Sequence, residues 1–141
     1  MSSSTRLAVN GTEIPVEPGT YADISWEWRS GDRIELELDM RCRLLDAPKG
    51  SNPAGHHFKA LVRGPVVLAR DENLDPHYNE AVTVLSERGY VDIVSKAPQI
   101  PGTKMQYRVP VEDGSIQMVD YASVDNWDGS HICTWLPEKE D

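Results

Sequence analysis

The chain has 141 residues, of which 39% are hydrophobic and 26% charged, and its formal net charge at pH 7 is −9. The length fits a single domain over residues 1–141, and the ordinary apolar content is unlike that of a disordered chain. The acidic excess disfavours nucleic acid and anionic membranes as partners, and the lack of a ~20-residue apolar run or a signal peptide favours a cytoplasmic location.

The first predicted element is a hairpin near the start of the chain. Asn10-Gly11 is a dipeptide that favours a two-residue turn, because both positions tolerate a positive φ. Short apolar segments at residues 7–9 and 12–16 flank it and are predicted to be its strands.

Two longer strands are predicted next. Residues 21–28 place Trp26 and Trp28 on one face with Ile24, so both tryptophans are assigned to the core. Residues 33–44 alternate strictly between apolar and polar, which a half-buried antiparallel strand explains and a helix does not. The apolar face, predicted to be buried, comprises Ile34, Leu36, Leu38, Met40, Cys42 and Leu44.

The rest of the chain is predicted to form further short strands separated by Gly and Pro. These strands are expected at residues 58–62, 66–69, 90–94, 105–109, 115–119 and 132–136. Residues 80–87 are the one candidate for a short helix, and 46–55 read as a surface loop. The predicted fold is therefore all-β, an antiparallel β-sandwich of jelly-roll type.

No motif with a known chemistry is present: the sequence lacks nucleophile-elbow, Walker, dinucleotide-binding and His-Glu-x-x-His patterns. Adjacent residues on a strand point to opposite faces, so His56 and His57 cannot chelate one ion together. Cys42 and Cys133 lack metal-ligand spacing and are predicted to be buried thiols, with Cys133 as a nucleophile being the less favoured alternative. We expect no catalytic residue, no metal site and no cofactor in this chain.

The densest polar and aromatic segment is Asp125-Asn126-Trp127-Asp128, and it is the candidate site for a ligand or a neighbouring domain. An aromatic face beside carboxylates suits a sugar ring, but a turn whose tryptophan fills a gap in this or a neighbouring domain is the favoured alternative. The two aspartates do not have the spacing of an EF-hand calcium loop. In either functional interpretation Trp127 is expected to be partly exposed and to add little to the stability of the domain.

Several segments together resemble the β-sandwich that follows the catalytic domain in glycoside hydrolase family 127, which includes bacterial β-L-arabinofuranosidases. These segments are Asn10-Gly11, Tyr21, 28–32, Met40, 63–69, 120–123, Trp127 and 135–137. The resemblance runs from about Leu7 to Pro137. It implies that catalysis in such proteins belongs to an upstream (α/α) barrel with a cysteine thiolate near zinc, for which this chain has no counterpart.

Two functions of different classes follow from the resemblance. The first is a non-catalytic accessory domain that packs against a catalytic barrel, of which the chain is a fragment. The alternative is an autonomous carbohydrate-binding module that uses the Trp127 loop. Because an incomplete sandwich would leave a sheet edge uncovered, a homodimer is also expected.

Overall fold

The computed structural model describes residues 5–48, 57–126 and 131–139. The chain folds into two compact units, Met1–Met40 and Arg41–Asp141. All strand pairs among these residues are antiparallel, which confirms the predicted all-β class. Among the described residues, no helix has both the length and the apolar character needed to span a membrane.

The first unit contains a three-stranded sheet. Its strands are β1 (Arg6–Val9), β2 (Thr12–Ile14) and β3 (Ile34–Glu37), in the order β2-β1-β3. The predicted hairpin is confirmed, because Asn10 and Gly11 have φ values of 48° and 80°, as a two-residue turn of this kind requires. The Asn10 side chain also accepts a hydrogen bond from the backbone N–H of Arg33 at 2.9 Å, which ties the turn to the start of β3.

The predicted strand over 33–44 is wrong as a single element. It is interrupted after Glu37, and the chain resumes as β4 (Cys42–Asp46) in the second unit. Leu38, predicted to be buried, is 44% exposed, and Met40 is only partly buried. Alternation specifies which side chains share a face but not how far a strand runs.

Two further predictions about the first unit are also wrong. Residues 21–28 form no strand. Trp26 and Trp28, which were assigned to the core, are 40% and 49% exposed. Because this segment does not pair with any described strand, its alternating side chains do not form a buried face.

The second unit is built on a single large antiparallel sheet. The strands after β4 are β5 (Phe58–Arg63), β6 (Val66–Asp71), β7 (Tyr90–Val91), β8 (Val94–Lys96), β9 (Gln106–Val111), β10 (Gly114–Asp120), β11 (Ile132–Cys133) and β12 (Leu136–Pro137). The strand order in the sheet is β7-β4-β5-β6-β10-β9-β8, with β11 paired to β6 and β12 paired to β5. Each strand predicted after residue 57 is represented, although 90–94 and 132–136 are each split in two.

The core of this unit collects side chains from most strands of the sheet. Its buried members are Cys42, Leu61, Leu68, Val91, Tyr107, Val109, Val111, Ile116, Met118 and Leu136. Gly64 and Pro65 lie in the turn between β5 and β6, with φ of 56° at Gly64, so Pro65 removes no ladder hydrogen bond.

The short helix predicted near 80–87 is absent. The backbone N–H of Val82 donates to Pro137 and that of Leu85 donates to Pro110, instead of to carbonyls four residues earlier. Val84 also forms an isolated bridge with Val111. The segment runs extended along the sheet because neighbouring strands satisfy its backbone.

Candidate functional site

The predicted site at 125–128 follows a buried aspartate, Asp120, that accepts two hydrogen bonds. A 3₁₀ helix spans Tyr121–Asn126, so Asp125 and Asn126 end that helix, while Trp127 and Asp128 lie outside the described residues. Before the helix, the buried Asp120 carboxylate accepts hydrogen bonds from the Met105 backbone N–H at 2.9 Å and from the Ser123 hydroxyl at 2.5 Å. These bonds fix where the predicted loop begins. The ligand interpretation of the loop stays a prediction.

The two cysteines are free thiols: Cys42 is buried, as predicted, whereas Cys133, also predicted to be buried, is only half-buried and donates a hydrogen bond to the Trp135 carbonyl at 3.1 Å. Burial raises the pKa of Cys42 to about 11, and the residue is 3% exposed, as predicted for a core thiol. Cys133 is half-buried, and burial raises its pKa too, against a smaller lowering effect of the Arg70 charge. A raised pKa lowers the fraction of the reactive thiolate form at neutral pH.

Two of the described histidines each lie beside one carboxylate. His77 Nδ1 lies 2.8 Å from Glu80 Oε1, and His131 Nδ1 lies 3.1 Å from Glu72 Oε1. His56 lies outside the described residues, so the predicted divergence of His56 and His57 cannot be compared with the structure. Within the described ranges, no three His, Cys, Asp or Glu side chains come together as a metal site.

A buried arginine organises the loop after β6. Arg70 is 2% exposed, and its guanidinium donates to the Asp75 carboxylate at 2.8 Å, to the His77 carbonyl at 2.9 Å and to the Glu80 carbonyl at 3.0 Å. Burial alone would raise the pKa of Asp75, but the hydrogen bond from Arg70 and the one from the His77 N–H outweigh it, so the pKa lies below its ordinary value. The ion pair therefore holds the loop in one conformation.

This loop forms one wall of an open cleft of about 390 Å³. Arg70 lies at the cleft with its Nε buried and without a hydrogen-bond partner. Lys139, paired with Asp113, lies on another wall. Because both cations are already matched by carboxylates, the cleft offers little attraction to an anion.

A second depression is mainly apolar. Ala47, Pro48, Phe58 and Trp135 line a groove of about 460 Å³, and Trp135 is 42% exposed. The residues next to this surface include Lys59, which pairs with Asp46 and lies 3.9 Å from Glu138. An exposed indole in an apolar groove offers the aromatic face that was predicted for Trp127, at a different place in the fold.

Sequence reasoning missed both depressions. Arg70 lies at the end of an apolar strand, where the sequence pattern gives no reason to expect a buried charge. The only sequence signal for its burial was the acidic loop that follows the strand. Trp135 was assigned to a continuous strand at 132–136, but the strand breaks between Cys133 and Leu136 and leaves the indole outside.

Comparison with known proteins gives two kinds of match. Residues 2–40 match the family model described as the β-L-arabinofuranosidase GH127 middle domain. A solved structure titled glycoside hydrolase aligns over 98% of this chain with a TM-score of 0.67 at 20% identity, and a GH127 β-arabinofuranosidase aligns over 96% with 0.66 at 20% identity. Curated proteins yield no match.

The alignments cover only 26% and 23% of those two solved chains, so this chain spans about a quarter of their length. The matched family segment coincides with the first compact unit. The chain thus contains a GH127-like segment over residues 2–40 and shares its fold with parts of larger glycoside hydrolases.

Proposed function

We propose that this chain is a non-catalytic accessory β-region of a family 127-like glycoside hydrolase, placed after the catalytic barrel. The observation that carries the proposal is the coincidence between the GH127 middle-domain match at residues 2–40 and the compact unit Met1–Met40. A middle-domain segment at the start of the chain is consistent with a C-terminal position for the second unit. The partner is then the catalytic barrel of the same protein.

The chemistry of the described residues supports a non-catalytic role. The Cys133 thiol has a raised pKa, and several prominent carboxylates are engaged by cations: Asp75 by Arg70, Asp46 by Lys59 and Asp113 by Lys139. A glycosidase instead needs two carboxyl groups that face one cleft, one of them with a raised pKa. Asp120, a buried acid that precedes the predicted site, accepts hydrogen bonds from the Met105 backbone N–H and from the Ser123 hydroxyl.

The test is an assay of the purified chain on aryl β-L-arabinofuranosides, with and without Zn²⁺. We expect no turnover above a heat-denatured control. Turnover that co-purifies with the folded chain and falls in a Cys133→Ser or Asp75→Asn variant would refute the non-catalytic role. The longer protein, assayed in parallel, should hydrolyse the same substrates.

An autonomous carbohydrate-binding module is the second candidate, and the exposed Trp135 beside Phe58 favours it. If a sugar ring stacks on the Trp135 indole, a Trp135→Ala variant should bind the sugar with lower affinity. Trp28→Ala is the matched control, since Trp28 is similarly exposed at 49% but lies in the other unit. Calorimetric titration with arabino-oligosaccharides that shows no heat for the unaltered chain would exclude this function and leave the accessory role.

A further inference from the structure

We propose that Asn10 is a deamidation site, and that the hydrogen bond from its side-chain amide to Asp32 both slows the reaction and is lost when the reaction occurs. The tie between the β1-β2 turn and the start of β3 then weakens over the lifetime of the protein. This site concerns the first compact unit alone and is independent of the proposed accessory role.

The sequence supplies the reactive pair of residues. Asn10-Gly11 is the one Asn-Gly pair of the chain. In deamidation, the backbone nitrogen of the second residue attacks the asparagine Cγ, the Cγ–Nδ2 bond breaks and ammonia leaves, which gives a succinimide ring. Water then opens the ring at either carbonyl and yields aspartate or isoaspartate. Glycine favours the attack because no Cβ shields its nitrogen.

The attacking nitrogen is accessible in the fold. Asn10 and Gly11 are both exposed, and within the described ranges the Gly11 N–H has no hydrogen-bond partner. A Cβ placed on Gly11 would meet no atom beyond its chain neighbours within 4 Å, so no other side chain covers the turn. The restraint that the fold provides therefore acts on the Asn10 side chain.

Two hydrogen bonds hold the Asn10 amide. Its Oδ1 accepts from the Arg33 backbone N–H at 2.9 Å, and its Nδ2 donates to Asp32 Oδ1 at 3.0 Å. The partners define the orientation of the amide, since a backbone N–H can only donate and a carboxylate can only accept. Ring closure requires the Cγ to turn towards the Gly11 nitrogen, and this rotation breaks both bonds.

Asp32 is itself held in position by the turn at residues 29–32. Its Oδ2 accepts from the Arg29 backbone N–H at 2.6 Å, and its own N–H donates to the Arg29 carbonyl at 3.1 Å. Gly31 permits this turn with a φ of 91°. Asp32 therefore presents a positioned acceptor to the Asn10 amide.

The product of deamidation does not fit this arrangement. An oxygen replaces Nδ2 and faces Asp32 Oδ1 across the 3.0 Å of the former hydrogen bond. Two carboxylates in contact repel each other, and isoaspartate in addition lengthens the main chain of the two-residue turn. The Asn10 N–H donates to the Arg33 carbonyl at 2.9 Å, directly before β3, so the disturbance reaches that strand.

Peptide mass spectrometry of the full chain, incubated at mildly alkaline pH, tests the restraint. Asp32→Ala should deamidate at Asn10 about 5–10-fold faster than the unaltered chain, because one of the two restraining bonds is gone. Asp23→Ala, at an exposed acid of the same unit, is the matched control and should leave the rate unchanged. Equal rates in the three proteins would overturn the proposal.

Unfolding of the sheet would also speed the reaction, so each protein is compared with its own form in urea. Asp32→Ala in native buffer should stay slower than in urea, because the bond from Arg33 persists. Equal rates of this variant in the two conditions would show that Asp32 holds the whole sheet rather than the Asn10 amide, and would overturn the proposal. In urea, Gly11→Ala should slow the reaction; an unchanged rate would exclude attack by the nitrogen of residue 11.

Hydrogen exchange tests the consequence for β3. In an Asn10→Asp variant, which reproduces one product, peptides covering residues 34–37 should exchange at least ~5-fold faster than in the unaltered chain. Asn79→Asp adds the same charge at an exposed site of the other unit and should leave β3 unchanged. Unchanged exchange of β3 in Asn10→Asp, or equal acceleration in both variants, would overturn the proposal.

Discussion

Replacing Arg70 with methionine should destabilise the second unit by about 2–4 kcal/mol. The side chain donates three hydrogen bonds from a site that is 2% exposed, one of them to the Asp75 carboxylate. A net ~1 kcal/mol for each bond to a carbonyl and ~1.5–3 kcal/mol for the charged one give a loss of about 4 kcal/mol. Methionine keeps most of the packing of the apolar stem, and removing the unpartnered Nε recovers ~1 kcal/mol or more.

The measurement is urea denaturation followed by circular dichroism. With a slope of about 2 kcal/mol/M, the midpoint of Arg70→Met should fall by about 1–2 M. Arg108→Met is the control, because Arg108 is exposed on β9, and its midpoint should move by less than the equivalent of about 0.5 kcal/mol. Equal shifts in the two variants would refute the structural role of Arg70.

The effect of Arg70 should also depend on pH. The pKa of Asp75 is lower in the folded state than its ordinary value of 3.8, so its ion pair contributes fully above about pH 4. The contribution is lost as the pH falls through the folded pKa. The difference in unfolding free energy between the unaltered chain and Arg70→Met should therefore shrink below pH 4. A difference that stays constant down to pH 2 would show that Asp75 is not the partner.

Three further outcomes follow from burial and backbone geometry. Leu61→Ala, at a fully buried site, should lower the free energy of unfolding by about 2–5 kcal/mol. Leu36→Ala, at a site 59% exposed, should lower it by less than about 1 kcal/mol. Equal midpoint shifts in urea would contradict the assigned core. In a thiol-reagent assay at pH 8, Cys133 should react faster than Cys42, because Cys42 is buried and its pKa is about 11. Unfolding in urea should remove the difference in rate. A faster reaction at Cys42 would mean that this residue is not buried. Gly11→Ala should lower the free energy of unfolding by about 1 kcal/mol, because the φ of Gly11 is 80°. An unchanged melting temperature would mean that the turn has another conformation.

Local sequence signals were sufficient where one or two neighbouring residues decide the conformation. Asn10-Gly11 specifies its turn because few other dipeptides accept two positive φ values, and the structure has that turn. The strands of the second unit were predicted from alternation and from the Gly and Pro residues between them. Burial of Cys42 also followed from its place on an apolar face.

Only the tertiary structure decided where strands end and which apolar faces are covered. The alternation across 33–44 is uninterrupted, yet the chain leaves one sheet after Glu37 and enters another at Cys42, because strand length depends on the partners available for pairing. Residues 80–87 were predicted from local propensity to form a short helix, but backbone N–H groups of this segment donate to carbonyls of neighbouring strands instead. The exposure of Trp135 and the burial of Arg70 likewise depend on residues distant in sequence, which no local pattern contains.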